Sequence, residues 1–312
     1  MSKKLNILIC GVVKNAQARI ERNLLLCQKL GEMNDNHKII VYENNSSDNT
    51  KAILKKAQQN NDDLVVISED FSEDYIKNNS KIWAYTKITG SSHPCRVEQI
   101  SNARNKLIEE ARKEIYSDYS IVVFIDLDSN GFDVDSINNS VSKVSKDDNL
   151  VLFGNSHPNF YDYYELRAPF SAAQLLGPEI YGDNFWSHKK QLSFAKGELI
   201  PVYSAFNGVA IYPKLAIKNN NYGVLLSEKV RRTYLKMIEK HFDLIEPFIN
   251  LVKNEDAKFK GGYYDEELGV FWKCNSGYDN ALIPEHVFLN FSLIQDGYNL
   301  FIDTNINYNW AG

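Results

Sequence analysis

The sequence predicts an α/β protein built on a doubly wound, mostly parallel sheet flanked by helices. Three observations carry that expectation. Short apolar, β-branched runs recur at residues 5–13, 37–42, 64–68 and 121–125. Segments with apolar residues at helical spacing alternate with them. Polar, turn-forming clusters follow the carboxyl ends of the runs, where open parallel sheets bind their ligands.

Each element follows in order. Residues 5–13 are nine mostly apolar residues interrupted by Asn6, a buried strand and far short of the ~20 residues that span a bilayer. Ile20, Leu24, Cys27 and Leu30 mark a helix over 16–30. A second strand at 37–42 runs into Glu43-Asn44-Asn45-Ser46-Ser47-Asp48-Asn49-Thr50, and a helix at 51–59 follows. After a third strand at 64–68, a helix over 101–115 turns Ala103, Leu107, Ala111 and Ile115 inward. The wholly apolar strand 121–125 ends at Asp126. Strands are expected at 151–154, 202–212 and 298–303, with one or two helices over 227–252. A further helix starts near residue 284 with Val287, Phe288, Phe291 and Ile294 inward. Residues 154–196 are aromatic without a sustained period and read as loops lining a cleft, among them Phe160, Tyr161, Tyr163, Tyr164, Phe185 and Trp186. With no internal repeat or low-complexity linker, one domain over 1–312 is expected.

The 312 residues suffice for a large core. Against 40 Asp and Glu stand 35 Lys and Arg, a net charge of −5, and the basic residues do not cluster beyond pairs such as Arg231-Arg232. That excludes nucleic acid as a partner, because phosphate affinity needs clustered cations. Cys10, Cys27, Cys95 and Cys274 are widely spaced, which disfavours zinc and a disulfide framework and leaves reduced structural thiols.

Four constellations could carry chemistry. Glu43, Asn44 and Asn45 with Asp48 and Thr50 offer partners for a base or ribose, although such residues also cap helices. Ser101-Asn-Ala-Arg104-Asn105 opens the predicted helix, so Arg104 would sit beside free backbone amides, a suitable diphosphate site, with Arg96 as a second cation. Asp126-Leu-Asp128 places two carboxylates at a strand end, where they can converge on a hard divalent cation. Asp133-Val-Asp135 has the same spacing but follows a glycine turn and reads as a solvated loop. Glu285 and His286, opening the last helix, could act as general base, charge stabiliser or metal ligand.

Taken together in this order, the four resemble a GT-A glycosyltransferase. They are similar to the bacterial family-2 type, with its Asp-Asp-Gly-Ser-Thr-Asp-x-Thr, Ala-Arg-Asn, Asp-x-Asp and Glu-Asp pattern. They resemble more closely the fungal capsule-associated α-1,3-mannosyltransferase family, with its Tyr-Glu-Asn-x-Ser-x-Asp-x-Thr and Arg-Ile-x-x-Leu-Ala-x-x-Arg-Asn elements. Here these read Tyr42 to Thr50 and Arg96-Val-Glu-Gln-Ile-Ser-Asn-Ala-Arg-Asn105, while Phe206-Asn-Gly resembles that family's Trp-Asn-Gly. The resemblance spans residues 5–130, then 206–212 and 284–303.

The resemblance implies that Val13, Lys14, Asn15, Glu43 and Asn44 border the nucleotide and that Arg104, with Arg96, faces the diphosphate. It places Asp128 on a Mn2+ or Mg2+ ion, with Asp126 toward the metal or the ribose. Glu285 and His286 would lie beside the acceptor and anomeric carbon, and Asn207 with Gly208 beside the donor sugar. The implied reaction moves a hexose or deoxyhexose from a GDP- or UDP-linked donor to a glycan hydroxyl. Residues 1–130 would bind the donor and 131–312 the acceptor. The segment 214–280, rich in Lys, Asn and Tyr, matches neither pattern and reads as an insertion. Family-2 enzymes carry Asp at the place of His286, and the two resemblances imply opposite stereochemistry. The membrane anchor of the fungal members is missing from the sequence, which points to a bacterial or virus-encoded cytoplasmic enzyme, peripheral to a membrane if recruited there. The alternatives are a sugar-phosphate nucleotidyltransferase, disfavoured by Gly11-Val-Val-Lys-Asn15 in place of a Gly-rich basic loop, and a noncatalytic glycan-binding protein.

Overall fold

A computed structural model describes residues 5–86, 91–182, 185–253, 262–273 and 281–310. In its first part, β1 (Asn6–Val13), α1 (Ile20–Glu32), β2 (Asn36–Asn44), α2 (Thr50–Gln59) and β3 (Leu64–Glu69) alternate. α3 (Glu73–Asn79), β4 (Trp83–Thr86), β5 (Ser91–Pro94), α4 (Arg96–Ala111) and β6 (Ile121–Ile125) follow. Then come α5 (Val134–Val144), β7 (Leu150–Asn155), the short helices α6 (Ala172–Leu176), α7 (Pro178–Tyr181) and α8 (Phe185–His188), β8 (Leu199–Pro201) and β9 (Val209–Pro213). The chain ends with α9 (Lys214–Lys218), α10 (Glu228–Lys240), α11 (Phe242–Lys253), β10 (Gly262–Asp265), β11 (Val270–Lys273), α12 (Glu285–Gln295) and β12 (Asn299–Asn307).

Eight strands form one sheet in the order β3-β2-β1-β6-β9-β7-β12-β8. β3, β2, β1 and β6 run parallel, as do β7 and β12, and β9 is antiparallel to both its neighbours. The expected mostly parallel sheet with helices on both faces is therefore present. α1, α2 and α5 cover one face through Ile20, Leu54, Ile137 and Val141, while α4 and α12 cover the other through Leu107, Ile108, Leu289 and Leu293. The opposite side of α12, at Val287 and Phe291, packs into a third core with α10, α11 and Trp272 of β11. Among the described residues no helix is long and apolar enough to cross a membrane.

Several boundaries differ from the sequence reading, each for a local reason. α1 starts at Ile20 and not at residue 16, because the Ala16 N–H donates to Thr50 Oγ1 and the Gln17 N–H to Asp48 Oδ2, which ties this turn to the loop after β2. α4 begins five residues earlier than expected and stops at Ala111. Ile115, expected inward, lies in a 3-10 turn, where Tyr116 takes the buried place and Ile115 is 74% exposed. Asp133-Val-Asp135 is no loop: Asp133 caps α5 by accepting the Ser136 N–H at 3.1 Å, and Ile137, Val141 and Val144 give the helix its buried stripe. The strand expected over 202–212 is broken, since Asn207 (φ +51°) and Gly208 (φ +82°) turn the chain before β9 begins. Cys10, Cys27 and Cys95 are free, buried thiols, and Cys274 lies outside the described residues. Burial pushes the Cys27 thiol up to about 12, so it is unreactive at neutral pH.

Candidate active site

The carboxyl ends of β1, β2 and β6, with the turn that enters the antiparallel β9, gather predicted motifs on one edge of the sheet. After β6, Leu127 turns inward so that Asp126 and Asp128 flank it. This requires Gly11, where a Cβ would stand 2.5 Å from Leu127 Cδ1. Asn23 of α1, wholly buried, donates its amide to the carbonyls of Leu127 (2.8 Å) and Ser129 (3.0 Å), and Arg22 donates to Ser129. The carboxylate loop is thus held from below by α1.

A cleft of about 600 Å³ opens above it, lined by Val13, Lys14, Asn15, Asn44, Arg96, Arg104, Asp126 and Asp128 among others. Its floor is laced together. Asn15, at φ +52°, accepts the Ser47 N–H at 2.8 Å and donates its own N–H to Ser46 Oγ. Asn45, at φ +53°, exchanges two hydrogen bonds with the backbone of Phe71. Glu43 does not line the cleft. It is wholly buried beneath it, accepting from the Ser46 N–H at 2.8 Å and the Ser68 hydroxyl at 2.6 Å, so it shapes the loop. Asp48 likewise accepts from Thr50.

Because α4 starts at Arg96, it is Arg96 that stands beside the free amides, and Arg104 lies two turns into the helix. Arg104 is 4% exposed and links two carboxylates: its Nη2 is 3.1 Å from Asp126 Oδ1 and its Nε 3.6 Å from Glu285 Oε1. The guanidinium also lies 4.6 Å from the Phe206 ring centroid. Burial pushes Asp126 up to about 6, aided by the nearby Asp128 and Glu285 and opposed by Arg104.

Behind this pair lies an acidic cluster that the sequence reading missed. Asp162 accepts the Asn207 N–H at 3.2 Å, while Asn207 Oδ1 accepts the N–H groups of Tyr161 and Asp162, each at 3.2 Å. That reciprocal lock explains the left-handed backbone of Asn207. At Gly208 a Cβ would stand 2.2 Å from the Tyr308 ring, so only glycine fits. Burial pushes Asp162 up to about 7; the Asn207 N–H opposes this, and Glu285 and Asp126 reinforce it. Glu165 accepts the N–H groups of His286 (3.1 Å) and Val287 (3.2 Å), capping α12, and hydrogen-bonds to Glu285. Burial, then Glu285, raises Glu165 well above the usual carboxylate range. The one signal for both residues was two acids inside the aromatic run Phe160-Tyr-Asp-Tyr-Tyr-Glu165.

Glu285 is therefore 5% exposed beside Arg104, whereas His286 is wholly buried. Its ring stacks on Phe206 at 3.9 Å between centroids and meets Tyr222 edge-on at 5.1 Å, and among the described residues neither ring nitrogen has a hydrogen-bond partner. Burial, aided by Arg104, pushes its pKa well below the usual histidine value. A neutral ring in that sandwich packs the site and does not face the cleft. Of the aromatics, Phe160, Tyr163 and Phe185 are core, Tyr161 and Tyr164 are half-buried, and Trp186 is 55% exposed.

Among the described residues no group of three or more His, Cys, Asp or Glu forms a metal cage. Asp126 and Asp128 nevertheless fit a hard cation, because Mg2+-like ions are held by one or two carboxylates together with substrate phosphates and water. The raised pKa of Asp126 comes first from burial, a cost of ionising the carboxylate that a bound cation would offset.

The family description for Cryptococcal mannosyltransferase 1 matches residues 14–233. No curated protein matches the chain. Among solved structures, the chain is similar to GalNAc-T7 with UDP, GalNAc and Mn2+ (11% identity, TM-score 0.47, 99% of this chain and 44% of that one). It is also similar to the mannosyltransferase PcManGT from Pyrobaculum calidifontis with GDP-Man and Mn2+ (12%, 0.40, 71% and 48%). Residues 1–349 of S. aureus TarS give 12%, 0.40, 70% and 50%. The chain spans about half the length of these solved chains. With the family match running from the end of β1 into α10, the chain belongs to the Cryptococcal mannosyltransferase 1 family.

Proposed function

We propose that the protein is a glycosyltransferase that moves a hexose or deoxyhexose from a GDP- or UDP-linked donor to a glycan hydroxyl. The observation that carries this reading is the convergence of Arg96, Arg104, Asp126 and Asp128 on one cleft at the carboxyl ends of the strands. That is where an α/β sheet binds nucleotides. The family match supports it.

Asn15, Asn44 and the backbone around them border the nucleoside. Lys14 and Arg96 meet the diphosphate at the cleft lining, and Arg104 supports it from deeper, where a preorganised charge in a water-poor site is worth most. Asp126 and Asp128 would hold Mn2+ or Mg2+, which offsets charge on the departing diphosphate. Glu285, fixed by Arg104 and Glu165, presents negative charge toward positive charge developing on the sugar. Asp162, half-buried and held near neutrality, is suited to take the proton of the acceptor hydroxyl. His286 positions Phe206 and Arg104 by packing.

The test is acceptor-dependent release of nucleoside diphosphate from GDP- and UDP-hexoses with Mn2+, for the wild type and Asp128→Ala. The expected outcome is release by the wild type and a loss on the order of 10²-fold or more in kcat for the variant. Full activity in Asp128→Ala would remove the carboxylate pair from the chemistry, and the anomeric proton of the product reports inversion or retention.

A further inference from the structure

On the β7–β12 side of the Asp126–Asp128 segment lies a second hollow of about 500 Å³, outside the nucleotide cleft. We propose that it is a binding subsite for a neutral sugar unit of the acceptor, so that the acceptor is an oligosaccharide and not a lone monosaccharide. The proposal rests on the glycosyltransferase reading for its role, and on the hollow itself for its ligand.

The lining combines aromatic rings, amides and an imidazole with the Ser156 hydroxyl and the Pro158 ring, and among the described residues no Lys, Arg, Asp or Glu belongs to it. Three near-parallel rings pass outward from the core. Tyr308 is wholly buried, Tyr161 is half-buried, and Trp310 is 44% exposed. Tyr161 lies 5.9 Å from Tyr308 at 22° and 4.6 Å from Trp310 at 7°. Asn130, Asn159 and Asn309, all exposed, surround this stack together with His157. A pyranose has one C–H-rich face and a rim of hydroxyls, the complement of a flat ring bordered by amides. Among the described lining residues, a phosphate or a charged sugar would find no Lys, Arg, Asp or Glu to pair with.

The platform is fixed to the catalytic loop. The Asn130 N–H donates to the Asn309 carbonyl (2.9 Å), the Asn309 N–H to the Gly131 carbonyl (2.9 Å), and the Asn130 amide to the Trp310 carbonyl (3.2 Å). At the inner end, the Tyr308 hydroxyl donates to the Asp126 carbonyl at 3.1 Å, and Tyr161 immediately precedes Asp162. A sugar seated on Trp310 is thereby held in register with Asp126 and Asp162. This gives a physical reason for leaving a tryptophan exposed beside the site.

The test uses the full chain and short manno-, gluco- and galacto-oligosaccharides as probes, with binding read by saturation-transfer NMR in the presence of Mn2+ and GDP or UDP. At least one series is expected to bind, with transfer to ring C–H protons. Trp310→Ala should weaken that binding about tenfold and Trp310→Phe should retain most of it, while thermal shifts by GDP or UDP stay unchanged in both. Equal binding by Trp310→Ala, or no binding of any probe to the wild type, overturns the subsite. Glycan binding that depends on Trp310 in a chain that binds neither nucleotide would sustain the subsite and count against the glycosyltransferase reading.

Discussion

In the proposed reaction, Asp162 and Glu285 divide between them what a single acid would otherwise do. Both sit near Arg104, but Glu285 is enclosed by Arg104 and Glu165, whereas Asp162 is half-buried and bonded to the Asn207 backbone. With Asp162 near 7, kcat/KM of the free enzyme should climb through about pH 7 and then level, since the base must be ionised. Asp162→Asn should flatten that limb and lower kcat by roughly 10²–10⁴. The same shift has a stability consequence of known sign. The folded value lies above the unfolded 3.8, so the native state holds the proton more tightly and loses stability as pH rises from about 4 to about 7. Asp162→Asn should accordingly melt higher than the wild type at pH 8. A variant with unchanged pH profile and unchanged melting would take Asp162 out of the account.

At the scale of elements, the site is assembled by loops that answer to buried charges. Arg167, wholly buried, holds Glu179 of α7 through paired bonds, Nε–Oε1 at 2.8 Å and Nη2–Oε2 at 2.5 Å, and Tyr234 of α10 donates to the same carboxylate. Its remaining nitrogen donates to the carbonyls of Tyr164 and Leu166. One guanidinium therefore ties the loop carrying Asp162 and Glu165 to two helices of the third core. Removing a single partner of a buried pair strands the other charge, so Glu179→Ala should cost about 3–5 kcal/mol in denaturant unfolding. A cost below about 1 kcal/mol would show that the loop is held by other means. None of this was legible in the sequence, because Arg167 and Glu179 are ordinary polar residues in an aperiodic stretch and only tertiary packing buries them.

At the scale of the whole molecule, the sheet was legible where strands are buried on both faces. The runs at 5–13, 37–42, 64–68 and 121–125 each became a strand, because a continuous β-branched run has few other fates. The GT-A expectation is met by this mostly parallel sheet with β9 inserted antiparallel. The reading failed where local hydrogen bonds reset a boundary, as at Asp48 and Thr50, or where a left-handed pair broke a strand, as at Asn207-Gly208. It named Asp126, Asp128, Arg104 and Glu285, which the fold brings together, and it overlooked Asp162 and Glu165, which have no motif around them. It also put Arg104 at a helix start that Arg96 occupies.

The central claim is that the cleft binds a nucleoside diphosphate together with a divalent cation held by Asp126 and Asp128. Thermal unfolding of the wild type and Asp128→Ala, with GDP or UDP in the presence and absence of Mn2+, tests it most directly. One nucleotide should raise the wild-type stability by about 2.7 kcal/mol at a hundredfold excess over its Kd. That gain should depend on Mn2+ and be lost in Asp128→Ala. Stabilisation by neither nucleotide, or an equal gain without Mn2+ and in the variant, would contradict the account.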